Sequence, residues 1–156
     1  MPRPRGNKSH WWHGGLRGAG YRLTIPRQAI LDLLSETSEH LSADEIYLTV
    51  HKTYPAIGLT TIYRTLQMFV DLGLIVKFDF GDKRARYELA EGVEGKQHHH
   101  HLVCTECGKI VEYTDFMKEE RELLHQTEIE LSKKYNFNIA DHLIQFYGHC
   151  DKCRRT

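Results

Sequence analysis

No stretch of this 156-residue chain strings together the ~18–20 apolar residues that a membrane-spanning helix needs, so an integral membrane protein is excluded. Net charge is also missing. Lys plus Arg (21) balances Asp plus Glu (21), and the overall charge by itself predicts no polyanionic partner. Acidic residues are absent from the first 31 positions, where Arg3, Arg5, Lys8, Arg17, Arg22 and Arg27 concentrate positive charge. This basic start lacks the apolar core of a secretory signal, and four cysteines are too few for a secreted disulfide scaffold. The expected compartment is therefore the cytoplasm. There are no internal repeats. What is abundant is histidine: eleven residues, four of them consecutive.

The hydrophobic share (40%) and the charged share (27%) are those of an ordinary globular protein, long enough for one larger domain or two small ones. Residues 1–19, rich in Gly and basic side chains and carrying Trp11 and Trp12, show no period. They read as a basic flexible extension, or alternatively as an arm that lies on nucleic acid. From Thr24 the pattern turns helical, with Pro26 in the first turn and Ile25, Ala29, Ile30, Leu33 and Leu34 on one stripe. Ser42-Ala-Asp-Glu45 matches a capping box and predicts a second helix to about Thr53. A third is expected from about Leu59 to Leu72, stopped at Gly73. Residues 75–80 and 85–89 then read as a hairpin tipped by Lys83 and Arg84. Three helices and a basic hairpin are the order of a winged helix-turn-helix, here over residues 20–91. A hinge (92–97) leads to a small α/β half (98–156). That half is expected to hold short strands at Leu102-Val103 and Ile110-Val111, and a third from His142 to Tyr147. Between them a helix from Phe116 to Tyr135 should turn Phe116, Leu123, Leu124, Thr127 and Leu131 inward.

The third helix has two chemically different faces. Leu59, Ile62, Leu66, Phe69 and Val70 gather on one side; Thr60, Thr61, Arg64, Gln67 and Met68 lie opposite, with Tyr63 on the flank. Such a helix can simply be solvated. Thr, Tyr and Arg near its start can also meet thymine methyls, phosphates and guanine edges, and the preceding capped helix and basic hairpin favour DNA.

Cys104-Thr-Glu-Cys107 and Cys150-Asp-Lys-Cys153 are two Cys-x-x-Cys pairs, together the four soft ligands of a closed, structural Zn(II) site. The 42 residues between the pairs exceed the ~15–20 of a simple ribbon, so the metal would join the start of the C-terminal half to its end. A thioredoxin-like redox pair is the alternative, but two copies are not expected of it. Directly before the first pair stands His98-His99-His100-His101. If extended, His98 and His100 share one face and His99 and His101 the other, which can serve two metal sites. Candidate partners are His40, Glu88, Glu112, Glu119 and His142, a nitrogen and oxygen set suited to Fe(II), Mn(II), Co(II) or Zn(II). A solvated tract that binds metal weakly is the competing reading. A zinc hydrolase is a third, although a His-Glu-x-x-His helix is absent.

Thr24-Ile-Pro-Arg27, His40-Leu-Ser-Ala43, Gly58-Leu-Thr-Thr-Ile-Tyr-Arg64, Ala85-Arg-Tyr-Glu88, the segment His98 to Lys109 and Tyr147-Gly-His-Cys150 occur in order. Together they strongly resemble the ferric uptake regulator family of bacterial metal-dependent transcription factors, over about residues 20–153. The resemblance implies an N-terminal winged helix and a C-terminal α/β dimerisation domain. It implies a homodimer on double-stranded, AT-rich, roughly palindromic operator DNA, and no enzyme activity. Arg22, Thr60, Thr61, Tyr63, Arg64 and Gln67 would contact the DNA, with Arg22 in the minor groove. Structural zinc would be held by Cys104, Cys107, Cys150 and Cys153. The regulatory metal would be held by His40, Glu88, His99, His101 and Glu112. A further site would use His98, His100, Glu119 and His142, with Glu120 or Glu122 able to replace Glu119. Many members have Asp where this chain has His100. The peroxide-sensing branch typically carries Asp where this chain has Glu88 and Glu112, and zinc sensors often recruit a regulatory cysteine. Fe(II) is therefore the expected signal of a repressor of iron-uptake genes, with Zn(II), Mn(II) or peroxide sensing as the alternatives.

Overall fold

The computed structural model describes residues 12–90, 92–93 and 97–154, and the chain falls into two compact units, Met1–Lys96 and Gln97–Thr156. The N-terminal unit begins with helix α1 (Trp12–Gly18), a departure from the patternless extension expected over residues 1–19. Its cause is apolar. Trp12 and Leu16, one helical turn apart, are 1% and 0% exposed in the core of the unit. The basic residues Arg3, Arg5 and Lys8, together with Trp11, lie outside the described residues.

Helix α2 (Ile25–Glu36) takes Pro26 in its first turn and buries Ile30, Leu31 and Leu34. Ser42 caps α3 (Ala43–Thr53) with a complete capping box: its Oγ accepts the Glu45 N–H at 3.3 Å, and its own N–H donates to Glu45 Oε2 at 2.8 Å. Helix α4 (Leu59–Asp71) buries Ile62, Thr65, Leu66 and Phe69 and ends where Gly73 adopts φ 69°. The hairpin of β2 (Ile75–Asp79) and β3 (Ala85–Leu89) follows. A two-residue strand β1 (Leu41–Ser42), too short for any alternation to announce it, pairs with β3 and completes a sheet of order β1-β3-β2. Helices α2, α3 and α4 on a small antiparallel sheet make this unit a winged helix, to whose core α1 is added.

In the C-terminal unit β4 (His100–Cys104) lies between antiparallel β5 (Ile110–Tyr113) and parallel β6 (Gln145–Gly148). The third strand was expected from His142; it starts three residues later, and His142 stands in the segment before it. Helix α5 (Met117–Tyr135) also corrects an expectation. Phe116 precedes it in the left-handed region and is 78% exposed, Leu123 is 66% exposed, and Thr127 and Leu131 are exposed as well. The stripe that is covered runs through Met117, Glu120, Leu124, Glu128 and Ser132. Leu124 is half-buried as expected, and beside it two carboxylates hold the helix through histidines, Glu120 to His100 and Glu128 to His142.

Candidate metal centres and nucleic-acid interface

Strand register assembles the candidate metal-binding residues. In the N-terminal unit Leu41 opposes Tyr87, so one step further His40 meets Glu88, Nε2 to Oε2 at 3.4 Å. The His40 ring stands edge-on to Phe78 and Phe80, and Glu88 is only 6% exposed. A carboxylate is costly to bury without a cationic or hydrogen-bonding partner, which makes this pair a natural half of a metal site. In the C-terminal unit His101 opposes Glu112 across β4 and β5. His99, two residues from His101 and so on the same face, approaches Glu112 at 3.8 Å, and the two imidazoles meet edge to face at 4.9 Å. Each unit thus presents its own imidazole–carboxylate set.

The other face of the histidine run builds a second cluster. His98 Nε2 and His100 Nε2 lie 2.9 Å apart, and the His142 ring centroid is 5.2 Å from that of His98. One ring nitrogen of each of these three residues falls within 4.8 Å of the others. His100 Nδ1 donates to Glu120 Oε2 at 2.8 Å, and His142 Nδ1 donates to Glu128 Oε1 at 2.8 Å. Tyr113 Oη donates to Glu120 Oε1 at 3.1 Å. Burial holds the His100 pKa below its ordinary value, with Glu120 acting in the opposite sense. Burial, then the Glu120 contact, pushes the Tyr113 phenol up to about 12. Glu119, the expected member of this set, is exposed; one residue along the helix turns Glu120 inward in its place. Glu128 was missed altogether, although its spacing from Glu120, two turns along one stripe, was the available signal.

The cysteines converge as expected. Parallel pairing of β4 with β6 sets Cys104 opposite Gly148, so the turn after β4 and the segment after β6 meet at one end of the sheet. All four cysteines are free of disulfides, and their sulfurs lie within 4.8 Å of one another. The Cys107 N–H first, then that of Cys150, draws the Cys104 thiol down to about 6; the side chains of Cys107 and Cys150 push Cys153 up. Four crowded sulfurs with N–H groups aimed at one of them suit a divalent cation and four thiolates, the chemistry of structural zinc.

On α4 the residues Thr60, Thr61, Tyr63, Arg64 and Gln67 are all exposed, while Met68, expected beside them, is partly covered by the core. Gln67 donates to Asp71 Oδ1 at 2.8 Å. Arg22 is exposed, and its carbonyl accepts a hydrogen bond from Arg27, whose guanidinium lies 5.4 Å from the Tyr21 ring centroid. At the hairpin tip Asp82 binds Arg86 at 2.6 Å and caps the Arg84 N–H at 3.1 Å, leaving Lys83 and Arg84 exposed. The Arg86 contact lowers the Asp82 pKa.

A winged helix with an exposed Thr-Thr-Tyr-Arg face, followed by a unit with a thiolate cluster and imidazole–carboxylate sets, defines a metal-responsive DNA-binding transcriptional regulator. The chain belongs to the ferric uptake regulator family, whose model matches residues 18–147. It is 41% identical over 140 residues to the ferric uptake regulation protein of Bacillus subtilis, covering 88% of this chain and 89% of that one. Among solved structures it is similar to the Helicobacter pylori ferric uptake regulator, for which three functional metal-binding sites are described. That likeness has a TM-score of 0.70 at 26% identity, over 90% of this chain and 87% of the other. The Pseudomonas aeruginosa ferric uptake regulator with manganese gives 0.69 at 30% identity, over 89% and 97%. Members of the family bind DNA and are dimeric. No helix among the described residues is long and apolar enough to cross a membrane.

Proposed function

We propose that this protein is a cytoplasmic repressor of iron-uptake genes, with Fe(II) as corepressor, and not an enzyme. The observation that carries the reading is the pair of imidazole–carboxylate sets, His40 with Glu88 in one unit and His99, His101 and Glu112 in the other. One ion held by all five residues would tie the two units together in a single arrangement, which is the differential contact that a switch requires. The set is nitrogen and oxygen only, which suits Fe(II), Mn(II) or Zn(II). The cysteines, committed to their own cluster, leave no thiolate to favour zinc. The ferric naming of relatives such as that of Bacillus subtilis supports iron.

The operator is expected to be AT-rich and roughly palindromic, matching a two-fold dimer. Exposed apolar residues support self-association through the C-terminal unit: Leu102, Val111 and Phe146 from the sheet, Leu123 and Tyr135 from α5. The test is operator affinity against free Fe(II), Mn(II) and Zn(II) for wild type, His99→Ala and His100→Ala. His99→Ala is expected to lose the metal-dependent gain while retaining structural zinc. If His100→Ala loses it and His99→Ala keeps it, the regulatory assignment is reversed.

A further inference from the structure

The sheet of the N-terminal unit has a second face that the apolar core does not use. Tyr87 and Leu89 of β3 point into that core, so alternation turns Arg86 and Glu88 to the opposite side. Phe78 opposes Arg86 across the hairpin, and Phe80 stacks on Phe78 with 5.5 Å between ring centroids and 16° between planes. Both rings are buried, yet neither belongs to the core cluster. The Phe80 ring also meets His40 and Arg86. The imidazole stands edge-on to it at 5.4 Å and 89°, and the guanidinium lies 5.8 Å from its centroid. Arg86 in turn reaches the hairpin tip: Nη2 donates to Asp82 Oδ2 at 2.6 Å, and Nη1 donates to the Arg84 carbonyl at 3.4 Å. Asp82 also accepts the Arg84 N–H, around Lys83 at φ 62°, a left-handed conformation that a lysine keeps only when its surroundings hold it there. One continuous line of contacts thus joins His40 to the exposed Lys83 and Arg84 of the wing tip, within a single unit.

We propose that Phe80 is a positioning residue that links the metal ligands to the wing: with His40 and Glu88 committed to an ion, the Phe80–Arg86–Asp82 stack holds the tip in one posture, from which Lys83 and Arg84 meet DNA phosphates. The inference rests on the reading of His40 and Glu88 as metal ligands. It gives metal occupancy a route to DNA inside the winged helix itself, apart from any change between the units. The transmission is steric. An imidazole held as a ligand cannot turn away from Phe80, and a close-packed ring passes on a neighbour's position rather than absorbing it. Arg86 suits the far end of the stack, because its planar guanidinium can lie on an aromatic ring while its fork binds a carboxylate; a lysine ammonium has neither the plane nor the fork.

Coupling of this kind is reciprocal, so the experiment reads it in both directions. Full-length protein with its cysteine zinc retained is titrated with an AT-rich palindromic duplex, with and without Mn(II), and with Mn(II), with and without the duplex. Lys83→Ala should weaken DNA binding by the same factor in either metal state, since it removes a phosphate contact. Phe80→Leu and Arg86→Lys should leave metal-free DNA affinity and DNA-free Mn(II) affinity near wild type. Each should cut the metal-dependent gain in DNA affinity by ~2–30-fold, and the DNA-dependent gain in Mn(II) affinity by the same factor. The double variant should lose no more than either alone, and Phe80→Tyr, which keeps the ring, should retain most of the gain. Without DNA, Mn(II) should slow amide exchange at Gly81 and Arg84, whose N–H groups donate to Asp79 and Asp82, in wild type and not in Phe80→Leu. A gain that survives both Phe80→Leu and Arg86→Lys would overturn the proposal. So would additive losses in the double variant, or a Lys83→Ala protein that binds DNA like wild type. Arg86→Lys carries the test if Phe80→Leu does not fold. Absence of any metal-dependent gain in wild type would instead sink the repressor reading, and the link to the wing with it.

Discussion

The two units of this chain are held together by different chemistry. The N-terminal unit has an apolar core in which Trp12, Leu16, Ile30, Leu31, Ile46, Ile62, Leu66 and Phe69 are essentially inaccessible. In the C-terminal unit the buried residues of β4 are His100, His101, Val103 and Cys104, and α5 buries none of its residues. A unit that lacks an apolar interior must draw its stability from metal binding and from association. The N-terminal unit thus carries its own apolar core, whereas the C-terminal unit is expected to depend on its cysteine-bound zinc for folding.

The comparison breaks most visibly at the cysteines. Structural zinc in small domains contributes ~10–16 kcal/mol of apparent binding free energy, and here that free energy stands in for a core. Cys150→Ser should therefore abolish the cooperative melting of the C-terminal unit and the dimer, while the N-terminal helices persist. Circular dichroism, protease protection of each unit and size-exclusion chromatography check this. Persistence of a full dimer in zinc-free Cys150→Ser would mean that the apolar surfaces of α5 and the sheet suffice.

The reciprocal lesion is Trp12→Ala. Deleting a buried Trp typically costs ~3–5 kcal/mol. The loss should appear in the melting of the N-terminal unit alone, with the zinc content of the other unit unchanged. An equal loss in both units would show that their stabilities are coupled, against the contrast drawn here.

These two residues also mark how far the sequence was legible. The four cysteines were readable because spacing and softness specify a thiolate site wherever the pairs fall in the fold. The helices of the winged unit were readable through their period and the Ser42–Glu45 box. Trp12 was not, since a seven-residue helix with three glycines carries too little period to stand out, and only tertiary burial of Trp12 and Leu16 makes it a helix. Helix α5 misled for the opposite reason. Of its apolar period only Leu124 is covered while Leu123 and Leu131 face out, and the inward stripe is fixed by Glu120 and Glu128 through histidines distant in sequence. The choice between Glu119 and Glu120 depends on the rotation of that helix, which no local pattern encodes.

A smaller effect is expected at the DNA face. Arg64→Ala should cost ~1–3 kcal/mol of operator affinity if the side chain reads a base, and should reduce the salt slope by about one if it meets phosphate. Measured at fixed salt, the change should leave melting of both units unaltered, because Arg64 is exposed. If Arg64→Ala and Tyr63→Ala both leave operator affinity unchanged, the recognition surface lies elsewhere on the unit.

The smallest effect concerns acid. Burial of His100 disfavours its imidazolium and lowers its pKa, while Glu120 favours the charged form and opposes part of that shift. In the unfolded chain the same imidazole takes a proton near ~6.5. Between the lowered folded value and that unfolded value the unfolded state binds more protons, so stability rises with pH across the window. The contribution is fully present above about 6.5 and is lost as pH falls through the folded value. His100→Asn, which keeps a polar side chain but cannot titrate, should flatten the acid side of the stability profile of the C-terminal unit. Glu120→Gln should steepen it, because the carboxylate that favours the imidazolium is gone. Chemical denaturation of protein that keeps its cysteine zinc, followed from about pH 7.5 to 5.5, separates the two slopes. If Glu120→Gln flattens the profile instead, the acid dependence does not come from His100 as this carboxylate holds it.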